Sequence, residues 1–224
     1  MARKKKRGRP QDQYGRKAKG EGFAARSVYK LDELQSRLSL VRTGESVLDL
    51  GAAPGSWSER LLELVGETGR VISVDLSAIA KVERAGRTAT VIQGDFTEES
   101  VVEQLIAVGP FDVVVSDAAP STTGNRTVDT ARSAGLVESA LALCHSLLRP
   151  GGNAALKIFQ GGDEQTLLAD MRSNFDTVKQ LKPKASRDES FETFLVGLGF
   201  RGGGPNIDGA GSGGTAATGS DAEG

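Results

Sequence analysis

Ser46-Val-Leu-Asp49-Leu-Gly51-Ala-Ala-Pro54-Gly55-Ser-Trp57 is the stretch on which the fold turns. A short apolar run, Ser46–Leu50, ends in a loop of two glycines and a proline, and an amphipathic stretch, Ser56–Val65, follows at once. A strand that passes through a glycine turn straight into a helix is the opening of a parallel β-α-β unit. Gly51 and Gly55 allow a tight turn and close approach of a ligand to the backbone. The loop is not G-x-G-x-x-G. Ala53 stands where the second glycine of that motif makes room for a pyrophosphate, and Pro54 has no N–H to offer a phosphate.

Outward from this unit, strand-like runs alternate with helical stretches. Strands are expected at 46–50, 70–75, 89–93, 111–116, 153–159, 177–182 and 191–198. Helices are expected at 27–38, 56–65, 98–108, 130–148 and 162–174; in the fourth, Leu136, Ala140, Leu143 and Leu147 share one face. This alternation predicts a Rossmann-like α/β fold with seven strands, mostly parallel, and helices on both faces. The last two strands are joined by a short polar link, so they should form an antiparallel hairpin at one edge. Ligands of such sheets sit beyond the carboxyl ends of the strands at the topological switch point.

Acids stand at those ends. Asp75 closes the second strand, where a carboxylate accepts bonds from ribose hydroxyls. Asp95, in Gly94-Asp-Phe96 after the third strand, is placed to accept from an adenine amino group. With Gly51, Gly55 and Asp117, they outline a pocket for a nucleoside without phosphates, and S-adenosylmethionine is such a molecule. Trp57 is expected either to wall this pocket or to pack in the core.

Four ionisable residues occupy apolar settings. Lys30 lies in Val-Tyr-Lys-Leu, Asp117 follows Val-Val-Val-Ser, Lys157 lies in Ala-Ala-Leu-Lys-Ile-Phe, and Glu192 alternates with Phe191, Phe194 and Val196. A buried ammonium is costly unless paired. Structural ion pairs would account for any one of them, but clustering around a cofactor pocket points to function. The chemistry predicted is displacement at a methyl group by a ribose oxygen. Lys157 either takes the proton or stabilises the developing alkoxide, Asp117 orients Lys157, and Lys30 with Glu192 holds the hydroxyl in line.

Composition bounds the rest. The 224 residues suit one domain, read as 21–200, between a basic arm (1–20, expected to be disordered) and a Gly-rich flexible tail (201–224). The arm holds nine Lys/Arg against one Asp, on an acidic body, which suggests a polyanionic partner. Lys182, Lys184 and Arg187, with Arg26, are expected to extend this positive track beside the site. One cysteine and one histidine, Cys144 and His145, rule out a disulfide within the chain and most zinc sites, so no metal is expected. As helical neighbours the two are read as core packing rather than a nucleophile and its base. No membrane span or secretory signal is evident, and a monomer in the cytoplasm is expected.

Taken together, these segments resemble the FtsJ/RlmE family of ribosomal RNA 2′-O-methyltransferases. The resemblance runs through Arg26-Ser-Val-Tyr-Lys30, Asp49–Trp57, Ser116-Asp-Ala-Ala-Pro120, Ala155-Leu-Lys157-Ile-Phe-Gln-Gly161, and Lys182-Pro-Lys-Ala-Ser-Arg187 followed by Ser190-Phe-Glu192. It spans about 21–200 and departs at Phe194, where a tyrosine is common in the family, and in the Gly-rich tail. It implies S-adenosylmethionine as cofactor and Lys30, Asp117, Lys157 and Glu192 as catalytic residues. It also implies a uridine of large-subunit (23S) ribosomal RNA, on the assembled particle, as target. Transfer RNA methylation and a non-catalytic, RNA-binding ribosome-assembly factor are the alternatives. A nicotinamide oxidoreductase is disfavoured by the missing glycine motif, and a small-molecule methyltransferase would not need the basic segments.

Overall fold

The computed structural model describes residues 13–186 and 190–202. Its elements are, in order, α1 (Gln13–Gly20), α2 (Val28–Leu38), β1 (Ser46–Leu50), α3 (Ser56–Val65), β2 (Arg70–Asp75), β3 (Glu83–Arg84), β4 (Arg87–Thr88), β5 (Thr90–Gln93), α4 (Glu99–Val108), β6 (Phe111–Ser116), α5 (Arg126–Leu147), β7 (Leu148–Phe159), α6 (Glu164–Asn174), β8 (Phe175–Leu181) and β9 (Glu192–Phe200). One seven-stranded sheet has the order β5-β2-β1-β6-β7-β9-β8. Its strands are parallel from β5 to β7, and β9 runs antiparallel to both β7 and β8. The chain reverses its winding between β1 and β6, so the switch point lies there.

Side-chain alternation along the central strands splits the core into two layers. Leu48, Val114, Leu156 and Ile158 pack with α4, α5 and α6 on one face. Val47, Val113, Val115, Ala155 and Phe194 pack with α2 and α3 on the other. β1 is buried along its whole length, as a strand covered on both faces must be. Each such buried Leu, Val or Phe stabilises the fold by about 1.5–3 kcal/mol. Cys144 and His145 belong to this packing. Burial pushes the Cys144 thiol up to about 12, and the His145 ring meets Phe200 edge-on at 5.8 Å.

Several expectations need correction. Residues 13–20 of the basic arm are helical, and Ala18 packs in a small apolar cluster with Val28, Tyr29 and Ala185. Apolar periodicity missed α1 because one small residue, not a stripe, anchors it. Residues 1–12 and 203–224 lie outside the described residues, as does Arg187. The β3–β4 hairpin was also missed, its strands being two residues each. β7 starts at Leu148, before the expected Asn153, because Leu148 pairs with Phe111 ahead of a register shift around Pro150-Gly-Gly152. α5 starts at Arg126 rather than Thr130, because the Asn125 side chain accepts from Thr127 N and Val128 N.

Candidate active site

The loop after β1 turns on Gly51, with φ +71°, and Gly55, with φ +110°. A Cβ at Gly51 would stand 2.5 Å from the Cα of Ala118. The glycine therefore lets the loop after β1 meet the loop after β6 across the switch point. Asp49, fully buried in β1, takes a bond from Ser58 Oγ at 2.6 Å through Oδ2. Its Oδ1 has no hydrogen-bond partner among the described residues. Burial, with Asp117 and Asp75 adding repulsion against the Ser58 bond, pushes Asp49 up to about 7.

Asp75 stands at the end of β2, half-buried, and accepts from Ala53 N at 2.9 Å and Ser77 N at 2.7 Å. It thus braces the glycine loop, and a carboxylate has further lone pairs for a ligand's hydroxyls. Leu76, 68% exposed directly after it, was passed over in the sequence because a single leucine after a strand carries no pattern. It holds an apolar side chain in solvent beside the acid. Asp95 accepts from Thr97 N and Thr97 Oγ1 through Oδ1, in the turn that leads into α4. Trp57 packs at the start of α3, behind the glycine loop. It is 2% exposed, its Nε1 donates to Ser27 O at 2.8 Å, and its ring stacks on Phe194 at 5.7 Å. It pins α3 to the start of α2 and to β9.

The four catalytic-type residues meet at the carboxyl ends of β6 and β7. β6 and β7 are paired neighbours, and Lys157 Nζ lies 3.0 Å from Asp117 Oδ1 and donates to the Asp117 backbone carbonyl as well. Phe159 pairs with Glu192 across the antiparallel β7–β9 ladder, which brings the first residue of β9 beside the end of β7. α2 delivers Lys30, whose Nζ lies 2.7 Å from Glu192 Oε1 and 3.5 Å from Asp117 Oδ1. Lys157, Asp117, Lys30 and Glu192 thus form one chain of alternating charge, with side chains 7–17% exposed. Burial pushes the Glu192 carboxyl up, but the Lys30 ammonium outweighs it, with help from Lys157, and holds it below the usual range. Of the expected basic track, Lys182 and Lys184 are exposed. Arg26 ties their loop to α2 by donating to Ala185 O at 2.7 Å.

Residues 23–200 match the model of the FtsJ-like methyltransferases. The chain belongs to that family. It is 46% identical over 191 residues to the "Ribosomal RNA large subunit methyltransferase E" of Treponema denticola, an alignment covering 85% of this chain and 96% of the relative. It is 49% identical over 195 residues to the protein of the same name from Nitratidesulfovibrio vulgaris strain Miyazaki F, covering 86% and 96%. Among solved structures, a putative ribosomal RNA methyltransferase from Plasmodium falciparum superposes with a TM-score of 0.70 at 24% identity, covering 80% of this chain and all of that one. Human methyltransferase-like protein 13, solved with SAH, gives 0.56 at 15% identity, covering 76% and 82%. These two share the fold.

For an FtsJ-like methyltransferase the cofactor is S-adenosylmethionine, and the crevice suits it. The orphaned buried Asp49 oxygen favours a ligand that carries positive charge. Asp75 and Asp95 close successive strands of the same sheet edge with carboxylates, and Leu76 beside Asp75 is 68% exposed. Among the described residues, no helix is long and apolar enough to cross a membrane, and no His/Cys/Asp/Glu group is arranged to hold a metal.

Proposed function

We propose that this protein methylates the 2′-hydroxyl of a uridine in large-subunit ribosomal RNA, on the assembled subunit in the cytoplasm. The observation that carries the reading is the Lys157–Asp117–Lys30–Glu192 chain beside the glycine loop. Relatives at 46–49% identity that bear the large-subunit methyltransferase name support the RNA and its class.

S-adenosylmethionine supplies a methyl group on a cationic sulfur. The protein's part is to place an oxygen in line with that methyl and to ease its loss of a proton. Lys157 Nζ donates to the Asp117 carbonyl and stands 3.0 Å from its carboxylate as an ion pair, while Asp117 Oδ1 takes no hydrogen bond among the described residues. An ammonium has three N–H groups, so donors remain for the ribose oxygen. This favours the cation role, in which Lys157 would stabilise the negative charge that appears on O2′ as its proton leaves, ahead of attack on the methyl carbon. Asp117 fixes the position of Lys157. Lys30, held by Glu192, gives a second donor from the α2 side. The proton would pass to solvent, which Asp117 and Glu192 reach with side chains 17% and 12% exposed.

Exposed Arg16, Lys17 and Lys19 of α1 and Lys182 and Lys184 lie on elements that meet in the Ala18–Val28–Tyr29–Ala185 cluster. Their charges suit RNA phosphates, with steep salt dependence.

The test is transfer of labelled methyl to purified large subunits, naked ribosomal RNA and transfer RNA, with Lys157→Ala alongside. Label at a ribose oxygen of large subunits, lost in the variant, supports the proposal. Label on transfer RNA alone overturns the substrate and keeps the chemistry. No label despite S-adenosylmethionine binding leaves a non-catalytic assembly factor.

A further inference from the structure

One cation on the rim of the site is left without work by the mechanism above. Arg126 is the first residue of α5 and is exposed. A positive charge there faces the positive end of the helix dipole, so helix stability does not explain it. No carboxylate lies within ion-pair distance of it among the described residues; the nearby Glu164, which Arg126 helps to hold below the usual carboxylate range, is bonded to Gly161 N and Gly162 N. Among the described residues its hydrogen bond runs from Nη2 to Gln160 O at 3.3 Å. Its guanidinium lies over the Phe191 ring at 5.2 Å, and Phe191 in turn packs on Phe159 with centroids 4.7 Å apart. Phe191 directly precedes Glu192, and Phe159 follows Lys157 by two residues, about 7 Å along the strand.

We infer that Arg126 and Phe191 form a stacking platform for a nucleotide adjacent to the target ribose. The inference rests on the RNA reading above. A planar guanidinium laid on an aromatic ring, half-buried on one side and open on the other, is the surface on which an unstacked base lies. The remaining N–H groups of Arg126 reach a neighbouring phosphate. Phe191 is joined to the site through Phe159 on one side and Glu192 on the other, so a base held here belongs to a nucleotide near the ribose that meets Lys157.

The experiment measures binding of a fluorescein-labelled oligouridylate over a range of salt, and methyl transfer to purified large subunits, for Arg126→Gln, Arg126→Lys and Phe191→Leu. Arg126→Gln should weaken oligouridylate binding roughly tenfold and lower the salt slope by about 1. Its effect on transfer should fall on KM for the subunit rather than on kcat, with S-adenosylmethionine affinity intact. Arg126→Lys should restore the salt slope but not the affinity, because an ammonium does not stack. Phe191→Leu should weaken binding at an unchanged slope. Unaltered binding and slope in Arg126→Gln overturn the platform. So does a loss of cofactor affinity that matches the loss of transfer, which marks a structural role. If the wild type binds oligouridylate but methylates no ribosomal RNA, the substrate reading fails while the binding series still decides the platform. A wild type that binds neither RNA overturns both.

Discussion

Two clusters of paired charge flank α2, and their inventories match. At the site, Lys30 and Lys157 pair with Asp117 and Glu192. On the other side of the helix, Arg60 and Arg84 pair with Asp32 and Glu63, at 2.6–2.7 Å. In the arginine cluster the side chains are 25–34% exposed, and each guanidinium is spent on the protein. Arg84 also donates to Glu21 O and covers the Phe23 ring, clipping the β3–β4 hairpin to the segment before α2. The lysine cluster is drier, and its ammonium groups keep N–H groups that the fold does not use. Burial, together with the choice of lysine over arginine, separates the charge network proposed to react from one that fastens. Counting charges would not tell them apart.

The largest expected effect tests the reactive side. Lys157→Ala should lower kcat by on the order of 10²–10³ at unchanged S-adenosylmethionine affinity, read by methyl transfer and calorimetry. An equal loss in Arg60→Ala would break the comparison. Next is stability. Glu192→Ala strips Lys30 of its 2.7 Å partner in a dry setting and should cost about 3–5 kcal/mol in denaturant unfolding.

The same pair has a pH signature. The folded Glu192 carboxyl titrates below its unfolded value of about 4.3, so its stabilisation is complete above that value and fades as pH falls through the lower folded one. The stability gap between wild type and Glu192→Gln should therefore close in acid. A gap that persists in acid would mean that Glu192 acts by shape and not by charge.

Asp49 behaves with the opposite sign. Its carboxyl titrates at about 7 in the fold, so the folded state binds more protons than the unfolded chain between about pH 4 and 7 and loses stability as pH rises through that window. Asp49→Asn should gain on the wild type across the same range in thermal melts, levelling off above pH 7. A constant difference would sink the assignment.

Gly51→Ala should cost about 1–2 kcal/mol for the left-handed backbone alone, with further loss from the approach to Ala118 at 2.5 Å, and should weaken cofactor binding. The smallest effect belongs to the fastening side. Arg60→Ala should change stability by about 1 kcal/mol or less, since its partners are 25–34% exposed and screened by solvent.

Much of this was legible before any coordinate. Asp49 to Gly55 is contiguous, so chain stiffness and glycine geometry write the turn into local sequence. Asp75 and Asp95 follow from strand ends that an apolar run marks by itself. Lys30, Asp117, Lys157 and Glu192 stood out as charges where burial penalises charge. What they bond to was another matter. Lys157 holds both the carboxylate and the carbonyl of Asp117, and Lys30 bridges two acids, because β6, β7, β9 and α2 converge from positions far apart in the chain. Trp57 turned inward because Phe194 and the Ser27 carbonyl were there to receive it. α1, the β3–β4 hairpin and the Arg126–Phe191 contact left no periodic trace, since each depends on one or two distant partners. Local pattern reports what a segment buries, and only the assembled sheet decides which segments share that burial.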